Sequence, residues 1–170
     1  LSRDPRIDEY QNMLGAILAD SGRLSQALEP FRRAADLDPD NPRFAANLAG
    51  VLARLGRWGE AATAYEKAVL LSPSPGNYMK LGSVYRQLRH PDRALAAFER
   101  ARALGDAGAA PILGIALARA EMDQIPEALE AVREGLGRHP GDRALQTLYD
   151  DLLRRRRSPG SAPDRSGSGR

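Results

Sequence analysis

Residues 42–74, which read PRFAANLAGVLARLGRWGEAATAYEKAVLLSPS, predict two helices joined by a short turn. Asn41-Pro42 supplies an N-cap and a proline at the first helical position, and Gly56 suits the left-handed residue that ends many helices. Pro73 follows the second apolar stretch, and the residue before a proline is pushed out of the helical conformation. The unit is therefore predicted to be a helix pair over residues 42–55 and 58–71.

The same unit occurs four times along the chain, at spacings of 34, 33 and 34 residues. The first matching column is apolar: Leu14, Leu48, Leu81 and Ile115. A small column follows (Gly15, Ala49, Gly82, Ala116), then an alanine column (Ala27, Ala61, Ala94, Ala128) and an aromatic column (Phe31, Tyr65, Phe98, Val132). A second small column (Ala34, Ala68, Ala101, Gly135) and a proline column (Pro39, Pro73, Asp106, Pro140) close each unit. Val132, Gly135 and Asp106 depart from their columns.

These columns predict how each helix pair packs. Small residues let the two helices of a pair approach closely where they cross, and the aromatic ring is expected in the groove between neighbouring pairs. The other helices are predicted at residues 8–21, 24–37, 75–88, 92–104, 109–122 and 125–138, with a further apolar helical stretch from residue 142 to about residue 155. Arg89 and Asp123 replace the turn glycine, so the last two pairs are expected to be less regular. Arg119 replaces an apolar residue, so either the groove of the fourth repeat is wetter or its register is locally shifted.

The pattern resembles the tetratricopeptide repeat family over residues 8–142, because four copies agree in phase over six columns. The resemblance implies an all-α fold, a right-handed α-solenoid of antiparallel helix pairs. It divides the chain into an N-terminal extension (1–7), four repeats (8–41, 42–74, 75–108, 109–142), a capping helix (143–157) and a tail (158–170). The tail is rich in Ser, Gly, Pro and Arg, and we expect it to be disordered.

Composition excludes several classes of protein. The 28 Ala and 23 Leu favour helices, and the absence of Cys removes disulfides and thiolate sites. The net charge of +3 comes from residues 154–170, which carry six Arg and one Asp, so residues 1–153 carry −2. With no apolar stretch long enough for a membrane span, we expect a cytoplasmic protein. The bias toward Ala, Arg and Gly suggests a GC-rich bacterial source. A periplasmic location stays open, because the N-terminus appears truncated.

Residues that could carry catalysis are scarce. His90 and His139 are the only histidines, and both precede prolines in predicted turns. Asp36, Asp38 and Asp40 lack the glycine and the glutamate that a calcium loop requires. We therefore expect no catalytic residues, no metal, no cofactor and no enzymatic activity.

The resemblance implies that a partner's peptide binds a concave groove lined by the first helix of each pair. The residues predicted to line it are Asn12, Arg43, Asn47, Arg54, Lys80, Ser83, Arg86, Leu113 and Leu117. The cations cluster in the two middle repeats, which predicts a ligand with acidic residues near its centre and an apolar anchor beyond. The alternative interpretation is that these arginines only solvate an exposed helix face.

Two other functions stay open from the sequence. Ile7, Tyr10 and Ile17 lie near the outer surface of the first helix, which is compatible with packing on a preceding segment or on a second copy of the chain, as in a homo-oligomeric scaffold. Arg154–Arg157 and the tail could attach electrostatically to nucleic acid or to a membrane surface. No aromatic residues stand nearby to read bases, so specific nucleic-acid binding is not expected. The arginines also suit the C-terminus of a helix, which attracts positive charge.

Overall fold

The computed structural model of the chain describes residues 6–157, and within this range the structure contains helices and no strand. The helices are α1 (Ile7–Asp20), α2 (Leu24–Leu37), α3 (Pro42–Arg54), α4 (Trp58–Leu71), α5 (Pro75–Gln87), α6 (Pro91–Ala103), α7 (Ala109–Glu121), α8 (Ile125–Arg138) and α9 (Arg143–Arg157). Each end lies within two residues of its prediction. The fold class, an all-α solenoid of antiparallel helix pairs, is confirmed. The predicted disordered tail lies outside the described residues.

The chain forms two compact units, Leu1–Asp106 and Ala107–Arg170. In the first unit α1 packs on α2, α3 on α4 and α5 on α6, while α2 contacts α3 and α4 contacts α5. In the second unit α7 packs on α8, and α9 lies against both.

A polar side chain followed by a proline starts both α3 and α5, and the cap at Asn41 was predicted. The Asn41 side chain accepts a hydrogen bond from the backbone N–H of Arg43 at 3.1 Å, and Pro42 takes the first helical position. Ser74 plays the same part before α5, since its hydroxyl accepts from the N–H of Asn77 at 3.3 Å. These caps satisfy backbone donors that have no partner inside the helix.

All four turns between paired helices have the same geometry. Gly22 and Gly56 adopt the left-handed conformation, with φ of 78° and 74°, as predicted. Arg89 and Asp123 adopt it too, both with φ of 62°. In every turn the N–H of the next residue returns to the last helical turn, and for His90 this bond reaches the Tyr85 carbonyl at 2.9 Å. The expectation that these two turns are less regular is therefore wrong, because the hydrogen bond offsets a backbone cost of about 1–2 kcal/mol for a side chain there.

The alanine and small columns determine the packing inside each pair. Ala27, Ala61, Ala94 and Ala128 are completely buried. A Cβ added at Gly82 would lie 2.6 Å from the Phe98 ring, and one at Gly15 would lie 2.8 Å from the Phe31 ring. The glycines thus make room for the aromatic ring of their own pair. The ring that was expected in the groove between pairs therefore also contacts the small residue of its own pair.

Residues of α9 explain one departure of the fourth repeat. A Cβ at Gly135 would lie 2.9 Å from Leu145 and 2.8 Å from Ile112, so an alanine there would collide with both. Leu145, Leu148 and Leu152 are buried as predicted for a capping helix, and the Asp142 carboxylate accepts from the N–H of Leu145 at 2.9 Å. The absence of a side chain at Gly135 therefore leaves room for α9 to pack on the fourth repeat.

Arg119 does not shift the register of α7. The backbone N–H of Gln124 donates to the Arg119 carbonyl at 2.9 Å, as the corresponding residues do in the other turns. The half-buried guanidinium extends toward α8 and donates from Nη1 to the Glu127 carbonyl at 3.4 Å. Of the two alternatives left open by the sequence, a displaced register is wrong.

Candidate functional site

A cavity of about 630 Å³ opens in the first unit among α1, α3 and α5. Small residues of these helices form much of its wall: Ala16, Ala46, Gly50, Ala53 and Ser83. Each of the three helices contributes because the 34-residue period places equivalent side chains on the same side of successive pairs. The small side chains leave open space between the three helices.

The charged residues at this cavity are mostly basic. Arg54 and Lys80 line it, both exposed, and Asp20 is the acidic residue of the lining. Neither cation forms an ion pair or a hydrogen bond with another residue of the 6–157 range. The lining thus carries one excess positive charge, and both cations are available to an external group.

An aromatic and aliphatic wall also lines the cavity. It consists of Phe31, Val51, Trp58, Tyr65 and Val84. Trp58 is the only tryptophan of the chain, is half-buried and lies at the start of α4. The cavity therefore combines apolar surface with unpaired positive charge, and Trp58 is a built-in fluorescent reporter of what enters it.

Asn12 and Asn47 act as a pair. Asn12 is only 5% exposed, and its Oδ1 accepts a hydrogen bond from Nδ2 of Asn47 at 2.8 Å. Asn47 lines the cavity, whereas Asn12 does not. Asn12 is thus a positioning residue that orients the Asn47 amide.

The other predicted residues are distributed unevenly. Ser83 lines the cavity, although its hydroxyl already donates to the Met79 carbonyl at 3.0 Å. Arg43 lies outside the lining, forms an ion pair with Glu9 and stands 5.4 Å from the centre of the Phe44 ring. Arg86 is also outside the lining and has interactions of its own. These two cations are therefore not part of the charge at this cavity.

Leu113 and Leu117 lie in α7 of the second unit, where both are half-buried. They do not line the cavity of the first unit. An apolar anchor at these leucines stays a prediction.

Sequence reasoning missed Trp58 and assigned Tyr65 only a packing role. Both belong to the second helix of a pair, whereas the prediction considered only first helices. One signal was present in the sequence: Tyr65 and Gly50 together replace the Phe31 and Ala16 of the first repeat. That exchange adds a hydroxyl on one helix and removes a methyl from the other.

A second depression, of about 360 Å³, lies among α2, α3 and α4. Leu48 and Leu52 form its apolar part, and the Arg32–Glu60 ion pair at 3.0 Å stands at its side. Lys67 and Asp36 complete the charged lining. The lining carries two positive and two negative side chains, so it favours neither an acidic nor a basic ligand.

The first helix exposes a stripe of large apolar side chains, which we call the α1 stripe. Ile7 is 46% exposed, Tyr10 64%, Met13 60% and Ile17 61%. One repeat later, Phe44 and Val51 stand in the register of Tyr10 and Ile17 and are buried. Tyr10 and Ile17 of the α1 stripe are therefore exposed at positions that are buried in the next repeat.

Arg154–Arg157 form the last turn of α9. Arg155 pairs with Asp151 at 2.8 Å, one helical turn earlier. Within residues 6–157 no group of three or more metal-binding side chains forms, and no helix is both long and apolar enough to cross a bilayer.

The chain is similar to one known protein family along most of its length. The tetratricopeptide repeat family model matches residues 1–42, 12–78 and 79–143. No curated protein matches the chain.

Several solved structures share the fold. One is YrrB, described as a protein of this repeat type with an unusual peptide-binding site. The two sequences are 20% identical, the match covers 86% of this chain and 76% of YrrB, and the TM-score is 0.75. Another is the MamA protein, with 22% identity, 89% and 88% coverage and a TM-score of 0.77. A tetratricopeptide repeat protein from Parabacteroides merdae ATCC 43184 matches with 21% identity, 88% and 59% coverage and a TM-score of 0.78.

Proposed function

We propose that this chain, which belongs to the tetratricopeptide repeat family, binds an acidic peptide segment of a partner protein in the cavity of its first unit. The family consists in general of non-enzymatic scaffolds for protein–protein interaction. A cavity that is lined by small residues and carries excess positive charge supports this more specific function. The peptide-binding site of YrrB, in a protein of the same fold, is compatible with it.

The observation that carries the proposal is the pair of unpaired cations, Arg54 and Lys80, at one apolar cavity. An exposed charge that only solvates a helix face does not need an apolar wall beside it. A peptide with a glutamate or aspartate can place its carboxylate between the cations and its apolar side chains against Trp58 and Val51. The small residues along α1, α3 and α5 allow the peptide backbone to approach the wall.

Reversing the two positive charges at the cavity is expected to abolish the preference for acidic peptides. Pools of octapeptides capped at both ends, with one fixed residue (Glu, Gln, Lys or Leu) among random ones, are titrated while Trp58 fluorescence is recorded. The wild type should bind the Glu pool most tightly. The Arg54→Glu, Lys80→Glu double variant should bind it at least about tenfold more weakly, because two attractions become repulsions.

Lys67→Glu is the matched control, because Lys67 is the other lysine of the chain and lines the balanced depression instead. It should leave binding of the Glu pool unchanged. Equal binding of the Glu pool by wild type and double variant would contradict the proposal, as would a wild type that does not prefer the Glu pool.

The α1 stripe supports a second candidate function, assembly of two copies of the chain. Four large apolar side chains on one helix exceed the isolated exposure that is normal on a protein surface. A two-fold arrangement would bury the same stripe on both copies.

Self-association through this surface is expected to disappear when a charge is placed in the α1 stripe. At high micromolar concentration the wild type should sediment as a dimer, and Ile17→Asp should sediment as a monomer. Leu70→Asp is the control, since Leu70 is 83% exposed on α4, away from the stripe. A wild type that stays monomeric at these concentrations contradicts the second candidate and leaves the first untouched.

A further inference from the structure

Tyr65 differs from every other aromatic residue of its column by a hydroxyl that has no partner. Tyr65 is only 3% exposed and lines the cavity. Among residues 6–157 its Oη makes no hydrogen bond. In the same range no fully enclosed side-chain oxygen or nitrogen lacks a partner, so this Oη must be accessible. Because Tyr65 lines the cavity, we take the cavity as the route by which a partner reaches its hydroxyl.

Gly50 keeps that hydroxyl open. A Cβ added at Gly50 would lie 3.5 Å from Oη of Tyr65, and no other atom comes within 4 Å of it. In the first repeat the equivalent residues are Phe31 and Ala16. In the third repeat they are Phe98 and Ser83. The second repeat alone among these three combines a glycine with a tyrosine, so a hydroxyl stands beside the glycine among the residues that line the cavity.

Tyr85, in the same unit, has a hydroxyl that is hydrogen-bonded within the protein. Its Oη donates to the Glu66 carboxylate, and the residue does not line the cavity. Burial, followed by the neighbouring Glu66, raises the pKa of Tyr85 to about 12. Burial alone raises the pKa of Tyr65 to about 12, so its hydroxyl keeps its proton at neutral pH and can donate. Of these two buried tyrosines, only Tyr65 has its donor unused.

We infer that Tyr65 is the specificity-determining residue of the cavity, donating a hydrogen bond to the carboxylate of a glutamate or aspartate of the bound peptide above Gly50. This inference rests on the proposed function and adds the group that distinguishes a carboxylate from other side chains. Arg54 and Lys80 line the cavity but are exposed, so water screens their charge. Tyr65 is only 3% exposed, and a hydrogen bond from its hydroxyl to a charged acceptor is about twice as strong as one to a neutral acceptor.

Tyr65→Phe tests the inference because Phe31 and Phe98 already occupy the equivalent position in neighbouring repeats. The variant should fold with an unchanged melting temperature, since the hydroxyl makes no bond inside the protein. Its affinity for the Glu-fixed octapeptide pool, followed by Trp58 fluorescence, should fall roughly tenfold or more, and its affinity for the Gln-fixed pool should fall less.

Two further variants separate a binding role from a packing role. Gly50→Ala covers the hydroxyl with a methyl group in ordinary contact, so it should weaken Glu-pool binding while leaving the melting temperature equal or higher. Tyr85→Phe makes the same chemical change at a bonded tyrosine. It should lower the melting temperature and leave Glu-pool binding unchanged.

The outcomes distinguish this inference from the proposed function. If the Arg54 and Lys80 reversal weakens Glu-pool binding but Tyr65→Phe does not, the proposed function stands and the role of Tyr65 is wrong. If Tyr65→Phe lowers the melting temperature as Tyr85→Phe does, the hydroxyl is structural and the inference is overturned. If no pool changes Trp58 fluorescence in the wild type, the proposed function is contradicted and the inference with it.

Discussion

Replacing Phe98 with alanine is expected to reduce the free energy of unfolding by about 3–5 kcal/mol. The ring is 2% exposed and sits against Gly82, where no side chain can fill the space it leaves. The cost combines lost transfer free energy with the cavity that remains. Urea denaturation followed by circular dichroism measures it, and a loss below about 1 kcal/mol would contradict the packing described for this pair.

The same contact predicts a change of sign for a second substitution. In the wild type, Gly82→Ala places a methyl group against the Phe98 ring and should destabilise the protein by about 1–3 kcal/mol. In the Phe98→Ala background the space is free, and alanine should stabilise the helix by about 1 kcal/mol relative to glycine. Gly76→Ala, on the same helix with no atom within 4 Å, is the control and should behave alike in both backgrounds. Equal effects of Gly82→Ala in both backgrounds would exclude the contact.

Leu145→Asp is expected to destabilise the second unit by about 4 kcal/mol or more. Leu145 is completely buried, so the change removes a core side chain and places a carboxylate among apolar groups. Hydrogen exchange followed by mass spectrometry should show loss of protection in peptides from α7, α8 and α9.

Gln146→Asp is the matched control for this effect, because the neighbouring Gln146 is exposed on the same helix. Its exchange pattern should match the wild type. Retained protection in Leu145→Asp would mean that α9 does not form part of the core of this unit.

The repeat columns predicted most of the fold because they report local and periodic requirements. Complete burial of Ala27 and its equivalents follows from a close helix crossing, and the caps at Asn41 and Ser74 follow from unpaired backbone donors. The buried alanine recurs in all four copies, so one copy explains the others, whereas the side-chain caps are found before α3 and α5 and not before α1 or α7.

The departures from the columns were harder to interpret because their causes lie elsewhere in the chain. Gly135 replaces an alanine because Leu145 fills that space, and the sequence of the repeat does not contain that information. Arg89 accepts a left-handed conformation because a hydrogen bond between His90 and Tyr85 fixes the turn.

The candidate site was only partly predictable for a similar reason. Asn47, Arg54, Lys80 and Ser83 line the cavity as expected from their helix face. Arg43 does not, because Glu9 stands 34 residues earlier in the same register and neutralises it. Trp58 and Tyr65 escaped prediction because they reach the cavity from second helices, where the pattern indicated only packing.

Mapping an acidic peptide on the protein by NMR tests the central claim most directly. An octapeptide taken from the Glu-fixed pool is titrated into the isotope-labelled chain, and backbone, indole and side-chain amide shifts are followed. The largest changes are expected at the Trp58 indole, the Asn47 side-chain amide and the backbone of Gly50 and Ser83. Changes concentrated on the α1 stripe, in the depression among α2, α3 and α4, or in the second unit would contradict a peptide site in this cavity.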